Sequence, residues 1–257
     1  MDSRLLQRDR AEIERSAAEA RKAVVKRIPP DQIVRYLNPN AHTPFALEYA
    51  FYLLGNIHGR TVLDLGCGQG ENIIPLVARG AHVMGIDISP DLIAIAEQRL
   101  RDERLEAPVF VKTAYETGLP DNSVDVILCV ALIHHLDITS VRNEMWRILK
   151  PGGIVVLSEP IRFSKVYALL RNFLPAQADI SDFEHPLTQD ELATITEPFK
   201  GEETRYFRLP FVPLISRVSQ ISRPLPTAWK ASDWTLRHLP ALKHYATVVV
   251  TRLRKTS

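Results

Sequence analysis

Val62-Leu63-Asp64-Leu65-Gly66-Cys67-Gly68-Gln69-Gly70-Glu71 is the most informative stretch of the chain, an apolar run that turns into three closely spaced glycines just before a helical pattern. The run reads as a buried strand. Glycine lets the backbone after it take positive φ, and the N-terminus of the next helix offers free N–H groups at the turn. Outward from this stretch, short apolar runs alternate with segments of helical spacing. Thr61–Leu65, Ala81–Ile86, Pro108–Lys112, Val124–Val130 and Gly153–Ser158 are predicted strands, and Asn72–Arg79, Asp91–Arg101 and Thr139–Leu149 are predicted helices. Strand and helix repeated in this order imply a parallel sheet with helices on both faces, because each crossover must pack back with right-handed geometry. The fold class is therefore a doubly wound α/β domain.

The flanking segments read differently. Leu5 to Val25 carries apolar residues near helical spacing until Pro29 and Pro30 stop the pattern. Asp31 to Pro44 reads as a connector into a second helix from about Phe45 to Leu54, which Gly55 ends. Ser89-Pro90-Asp91 caps one helix of the core, and Lys150-Pro151-Gly152-Gly153 supplies a stop and a tight turn. Beyond Glu159 the alternation breaks for about forty residues, with helices expected at Val166–Phe173 and, behind a Thr188/Glu191 capping box, at Thr188–Thr196. Tyr245 to Leu253 reads as the last strand. The organisation expected is one domain over 1–257: an N-terminal helical cap (1–58), a cofactor-binding core (59–160), a lid insertion (161–200) and a basic part (201–257) that completes the sheet.

Strand, glycine turn and helix in this order suit a nucleotide-type cofactor. Asp87 ends the second strand in Met84-Gly85-Ile86-Asp87-Ile88-Ser89, where a carboxylate can accept from both hydroxyls of a ribose. The glycines are spaced GxGxG, with Glu71 falling where the dinucleotide fingerprint wants its third glycine. Asp64 stands two residues before the turn; it would repel a pyrophosphate but can hold a cationic amino group.

At these residues the chain closely resembles the class I S-adenosylmethionine-dependent methyltransferases, in particular the small-molecule, type 11-like group. The likeness runs from about Gly59 to Pro160, plus the basic terminal strand. Its blocks are Asp64 to Gly70, Gly85 to Ser89, Leu119-Pro120-Asp121-Asn122-Ser123-Val124-Asp125, His134-His135-Leu136 and Arg147-Ile148-Leu149-Lys150-Pro151-Gly152-Gly153. The resemblance implies a Rossmann-like seven-stranded sheet with the last strand antiparallel, and S-adenosylmethionine as cofactor. It implies that Asp64, Gly66, Cys67 and Gly68, with Gly70 completing the turn, meet the methionyl part. Asp87 then meets the ribose, Ile88 the adenine face and Cys129 the region near the sulfonium. Many relatives place an acid just after the third strand; this chain reads Thr113-Ala114-Tyr115-Glu116, so either Ala114 and Tyr115 give backbone and ring contacts to the adenine or Glu116 substitutes.

Methyl transfer needs an aligned nucleophile, and a base only where the acceptor must lose a proton. His134 and His135 are the candidates, with Glu159 and the pair Asp182 and His185 as weaker options that read as caps and turn formers. No Asn/Asp-Pro-Pro-aromatic run and no Pro-Cys follow the fourth strand, which argues against amino-group and pyrimidine C5 methylation. Two cysteines, Cys67 and Cys129, are too few for a disulfide framework, a cysteine zinc site or arsenite chemistry. An oxygen, carboxylate or activated carbon of a small molecule remains.

Net charge is +2, but residues 201–257 hold ten basic and three acidic side chains, interleaved with Phe207, Phe211, Trp229 and Trp234. That mixture suits an amphiphilic acceptor such as a quinone, isoprenoid or lipid, met transiently at a membrane surface. A plain solvated face is the competing account. No apolar stretch nears the roughly 20 residues of a membrane-spanning helix, and no signal segment opens the chain, so a cytoplasmic protein is expected. Two other functions stay in view. A nicotinamide-dependent reductase would share the sheet but wants different glycine spacing and a Tyr-x-x-x-Lys pair. An RNA-associated or non-catalytic cofactor-binding module would use Arg205, Arg208, Arg217, Arg223, Arg237, Arg252, Arg254 and Lys255 as a phosphate footprint. No DNA-binding motif and no metal site are read from the sequence.

Overall fold

A computed structural model describes residues 3–22, 27–164, 185–212 and 225–256. Seven strands form one sheet in the order β3-β2-β1-β4-β5-β7-β6. They are β1 (Thr61–Leu65), β2 (His82–Asp87), β3 (Val109–Val111), β4 (Val124–Val130), β5 (Leu149–Pro160), β6 (Lys200–Phe207) and β7 (Val248–Arg254). β1 to β5 pair in parallel, and β7 runs antiparallel to both β5 and β6. The helices are α1 (Ser3–Lys22), α2 (Pro30–Leu37), α3 (Ala46–Leu53), α4 (Ile73–Ala78), α5 (Pro90–Asp102), α6 (Ile138–Ile148), α7 (Gln189–Thr196) and α8 (Leu225–His238).

The central strands are apolar on both faces because each face meets a separate core layer. Leu63, Leu65, Ile127, Val155 and Leu157 pack with Val141, Met145 and Ile148 of α6 and Ile195 of α7. Their neighbours Val62, Val126, Leu128 and Val156 pack on the opposite face with Phe51 and Leu53 of α3 and Ile73 and Leu76 of α4. Polar chemistry is thereby pushed to the strand ends. The strand order reverses between β1 and β4, opening the crevice at their carboxyl ends where ligands bind in such sheets.

Ser89 caps α5, its hydroxyl accepting from Leu92 N, and the Thr188/Glu191 box caps α7 as expected. Three parts of the sequence reading need correction. The connector at Asp31–Pro44 contains helix α2, because Pro30 is tolerated in a first turn and Asp31 favours a helix start. Strand β6 is an addition to the expected strands: Lys-Gly-Glu-Glu-Thr-Arg is a charged, solvent-facing edge and shows no apolar alternation. Strand β5 begins earlier than expected, at Leu149. It pairs Leu149 with Val124 and Ile154 with Val126, so Lys150–Gly153 is a bulge inside the strand, with Gly152 at φ +75°. The helix expected at Val166–Phe173, and Asp182, Arg217 and Arg223, lie outside the described residues.

The basic C-terminal part is largely spent on the fold. Arg205 donates to Ala41 O at 2.7 Å and Thr43 O at 2.8 Å, pairs with Asp233 of α8, and lies over the Tyr49 and Phe207 rings. Arg252 donates to Leu53 O and forms an ion pair with Glu202 at 2.7 Å that falls outside hydrogen-bond alignment. Arg254 pairs with Glu202 and donates to Gly152 O, while Lys255 Nζ donates to Asn122, Trp146 O and Leu149 O. Arg208 donates to Thr247, and Arg237 pairs with Asp233. Six of the eight residues of the supposed phosphate footprint are thus engaged inside the protein. Of the four aromatics, Phe207 is core and Trp229 packs on Phe45, whereas Phe211 and Trp234 are exposed. Arg205→Leu should cost roughly 3 kcal/mol, because it takes one of the two cations from Asp233 and leaves two carbonyls without a donor. Arg205→Lys should recover only part, an ammonium being unable to span the same fork. Urea denaturation of the three proteins checks this.

Candidate active site

The glycine turn is laced to β2 by its backbone. Gly66 N and Cys67 N both donate to Ile86 O, and Gly68 N donates to Asp87 Oδ2 at 2.9 Å, while Ser89 N donates to Asp87 Oδ1 at 2.9 Å. Gly66, Gly68 and Gly70 all have positive φ. A side chain on Gly66 would strike Leu132 at 2.8 Å and one on Gly70 would press Ala96 at 3.0 Å, but beside Gly68 nothing lies within 4 Å. Two glycines therefore serve packing and one leaves open space against the backbone. Arg99, nearly buried on α5, braces the turn through Gln69 O at 2.9 Å.

Asp64 is wholly buried in β1 and neither carboxylate oxygen has a hydrogen-bond partner. Burial pushes its carboxyl up to about 7, with the charge of Asp87 adding to the effect; the Asn72 side chain, close by but outside hydrogen-bond geometry, pulls the other way. Asp87 is also raised by burial, against which the N–H groups of Ser89 and Gly68 act. Each of its oxygens accepts one backbone bond and retains capacity for another. Ile88 is half-buried beside it. After β3, Ala114 is buried and Glu116 exposed, while the half-buried Tyr115 accepts from Asp137 N at 2.9 Å through its hydroxyl. That loop is tied down by Glu144, which accepts from Thr117 N and Thr117 Oγ1.

Across the crevice, β4 ends in Cys129, a fully buried thiol held well above its ordinary value by burial and by Glu159. The chain then turns through Ala131 at φ +51° into a short 3-10 turn, Ile133–His135. Glu159 of β5, with no exposed surface, organises this turn. Its Oε1 accepts from Leu132 N at 2.9 Å and Ile133 N at 3.0 Å, and its Oε2 lies 2.9 Å from His134 Nδ1. His135 lies beside His134 with ring centroids 3.9 Å apart and the rings tilted by 41°, and is pushed down to about 4 by burial and then by His134. Its Nδ1 is 3.5 Å from Glu12 of α1, which also pairs with Arg15.

The fold thus gathers Asp64, the glycine turn, Asp87, Cys129, His134 and His135 at one sheet edge. It places His185 elsewhere, near Glu191 at 3.6 Å. Sequence reasoning gives Glu159 too small a part, that of a cap, and does not single out Glu12 and Arg15. The available signal is Glu159 itself, an acid closing an otherwise apolar buried strand. Among the described residues, no group of three or more metal-ligating side chains occurs.

An acid held near 7 in the folded chain keeps its proton where the unfolded chain, near 3.8, has lost it. Stability should therefore fall as pH rises from about 4 through 7 and stay lower above. Asp64→Asn should remove that decline, raising stability above pH 7 by at most about 4 kcal/mol. Melting curves across this pH range check it; a variant that tracks the parent protein would refute the assignment.

A methyltransferase-domain family model matches residues 63–157, from β1 into β5. A ubiquinone biosynthesis O-methyltransferase of Alkalilimnicola ehrlichii is 34% identical over 128 residues, 48% of this chain and 51% of the relative. A demethylmenaquinone methyltransferase of Tropheryma whipplei is 35% identical over 178 residues, 62% of this chain and 73% of the relative. The chain spans about half the length of the first ubiquinone-pathway relatives it matches. Among solved structures, geranyl diphosphate C-methyltransferase from Streptomyces coelicolor superposes with a TM-score of 0.58 at 17% identity, covering 80% of this chain and 76% of the other. The [4+2]-cyclase SpnF superposes with 0.56 at 20% identity, covering 80% of each. These two share the fold. With five sequence blocks, the sheet order and a relative matched over most of its length in agreement, the chain belongs to the class I S-adenosylmethionine-dependent methyltransferases.

Proposed function

We propose that the chain transfers a methyl group from S-adenosylmethionine to an oxygen, carboxylate or activated carbon of a small amphiphilic acceptor of quinone, isoprenoid or lipid type. The observation that carries this is the orphaned carboxylate of Asp64, buried beside the open face of Gly68 and one strand from Asp87. A buried acid without donors suits the ammonium of a methionyl group, which would also restore its charge. The cofactor would supply an electrophilic methyl carbon on a sulfonium. The chain would hold it by Asp64 and the backbone of Gly66, Cys67, Gly68 and Gly70 at the methionyl end, by Asp87 at the ribose and by Ile88, Ala114, Tyr115 and Glu116 around the adenine, with Cys129 in the region near the sulfonium. Cys67 takes part through its backbone, its thiol being buried. His134 or His135 would act as base.

The quinone and isoprenoid names of the relatives support the acceptor class. The reading also includes transient contact with a membrane surface. Among the described residues no helix is long and apolar enough to cross a membrane. Support comes from an exposed patch, Trp234, Leu239 and Tyr245, 60%, 53% and 42% exposed. Lys230, Arg237 and Lys243 accompany it, with Asp233 the one acid of that segment. Val248, which follows this segment, pairs with Pro160, so the patch leads into the carboxyl edge where the site opens. Both cysteines are free and buried, which suits a reducing cytoplasm.

Calorimetric titration should find binding of S-adenosylmethionine and of its demethylated product but not of NAD. Asp87→Ala should weaken binding at least about tenfold, because the carboxylate takes with it the acceptors for both ribose hydroxyls; Asp87→Asn, which can keep the bond from Gly68, should lose less. Binding of NAD instead would return the reductase reading. For the membrane contact, co-sedimentation with phosphatidylcholine vesicles should rise when phosphatidylglycerol is included. Trp234→Ala with Lys243→Glu should abolish the rise.

A further inference from the structure

A buried cation stands behind the glycine turn. Arg99 belongs to the inner stripe of α5 that runs Leu92, Ala96, Arg99, and its side chain is only 3% exposed. Its Nε donates to Gln69 O at 2.9 Å, and its Nη2 lies 3.5 Å from Gln69 Oε1 and 3.4 Å from Glu71 Oε1. On the far edge of the same peptide, Gly70 N donates to Cys67 O at 2.8 Å. A trans peptide carries its oxygen and its hydrogen on opposite edges, so the Gln69–Gly70 plane is gripped at both. Ala96 lies close under Gly70, 3.0 Å from where a Cβ would stand, and leaves that plane little room to swing.

We propose that Arg99 is a positioning residue for cofactor binding: by holding the Gln69 carbonyl toward α5, it keeps the glycine turn open to the methionyl arm. The proposal rests on the methyltransferase reading. Asp64 would take the ammonium of that arm, which leaves the neighbouring carboxylate for the turn to meet. A carbonyl swung into the crevice would repel that carboxylate and cover the side of Gly68 beside which nothing lies within 4 Å. Once Arg99 is gone, a buried carbonyl without a donor supplies the drive for such a swing. The ribose end is fixed separately, because Ser89 N, at the cap of the same helix, holds Asp87 Oδ1. One helix thus sets both ends of the cofactor site, from its cap at the ribose and from its third turn at the methionyl arm.

Calorimetric titration of the full chain with S-adenosylhomocysteine and with methylthioadenosine, which lacks the amino-acid end, separates the two ends of the site. Arg99→Met, which fills the space without a donor, should weaken the first on the order of tenfold and leave the second within about threefold. Arg99→Lys should show a smaller loss confined to the first ligand, because an ammonium still reaches one carbonyl. Glu71→Gln should change neither, since the Glu71 carboxylate is 66% exposed and its pairing with Arg99 is screened by solvent. The free chain gives a reading that needs no ligand. In Arg99→Met the Gly70 amide should exchange with deuterium faster, while Gly66 and Cys67, bonded to Ile86 O, keep their protection. Equal loss of both ligands in Arg99→Met is what a merely structural residue would give and overturns the proposal, as does unchanged binding of both. Should Arg99→Met fail to fold, the same comparison on Arg99→Lys decides. A parent chain that binds neither ligand overturns the methyltransferase reading and the proposal together, an outcome told apart from the others because no variant enters it.

Discussion

Burial of the central strands on both faces is the constraint from which the rest follows. A side chain in the middle of β1, β4 or β5 meets a helix layer whichever way it points, so almost every position there is aliphatic. The chain can turn polar only at the carboxyl ends, and the reversal of strand order between β1 and β4 brings three such ends to one crevice. The glycine turn, Asp87 and the histidine turn are consequences of that geometry.

Two acids break the aliphatic rule, and they do so in opposite ways. Asp64 and Glu159 are both without exposed surface. Glu159 is satisfied within the chain by two backbone N–H groups and an imidazole, as a structural anchor should be. Asp64 is satisfied by nothing, and its carboxyl is driven up to about 7. A buried acid left without donors destabilises the protein that carries it, so its place in β1 points to a partner from outside the chain. The fully bonded acid holds the turn after β4, and the orphaned one is where the proposed cofactor would place its ammonium.

What was legible in the sequence follows the same division. The strands and helices of the core could be read because double burial leaves long apolar runs and because Ser89 and Thr188 announce helix starts. Asp64, the glycines and Asp87 could be read because their chemistry is local to one turn. Strand β6 escaped because a charged edge carries no periodicity, and α2 because a helix of eight residues between prolines looks like a connector. The basic C-terminal part misled in a different way. Charge counts cannot tell a cation facing solvent from Arg205 or Lys255, whose donors are spent on carbonyls far away in sequence. The Glu159–His134 pair spans 25 residues and two strands, and nothing local joins them.

Fold alone does not decide the chemistry, since the same architecture superposes on a C-methyltransferase and on a cyclase. The discrimination has to come from side chains at the crevice. A cyclase needs a shaped cavity and no sulfonium, and would gain nothing from an unbonded acid behind the glycine turn. A transferase acting on an anion needs the cofactor pocket but no base. The orphaned Asp64 is the feature that favours the proposed transferase over a cyclase, because a buried acid without donors suits a cofactor that carries a cation. Asp64 and the histidine turn stand at the ends of neighbouring strands, β1 and β4, so the proposed methyl donor and its acceptor would meet in one crevice.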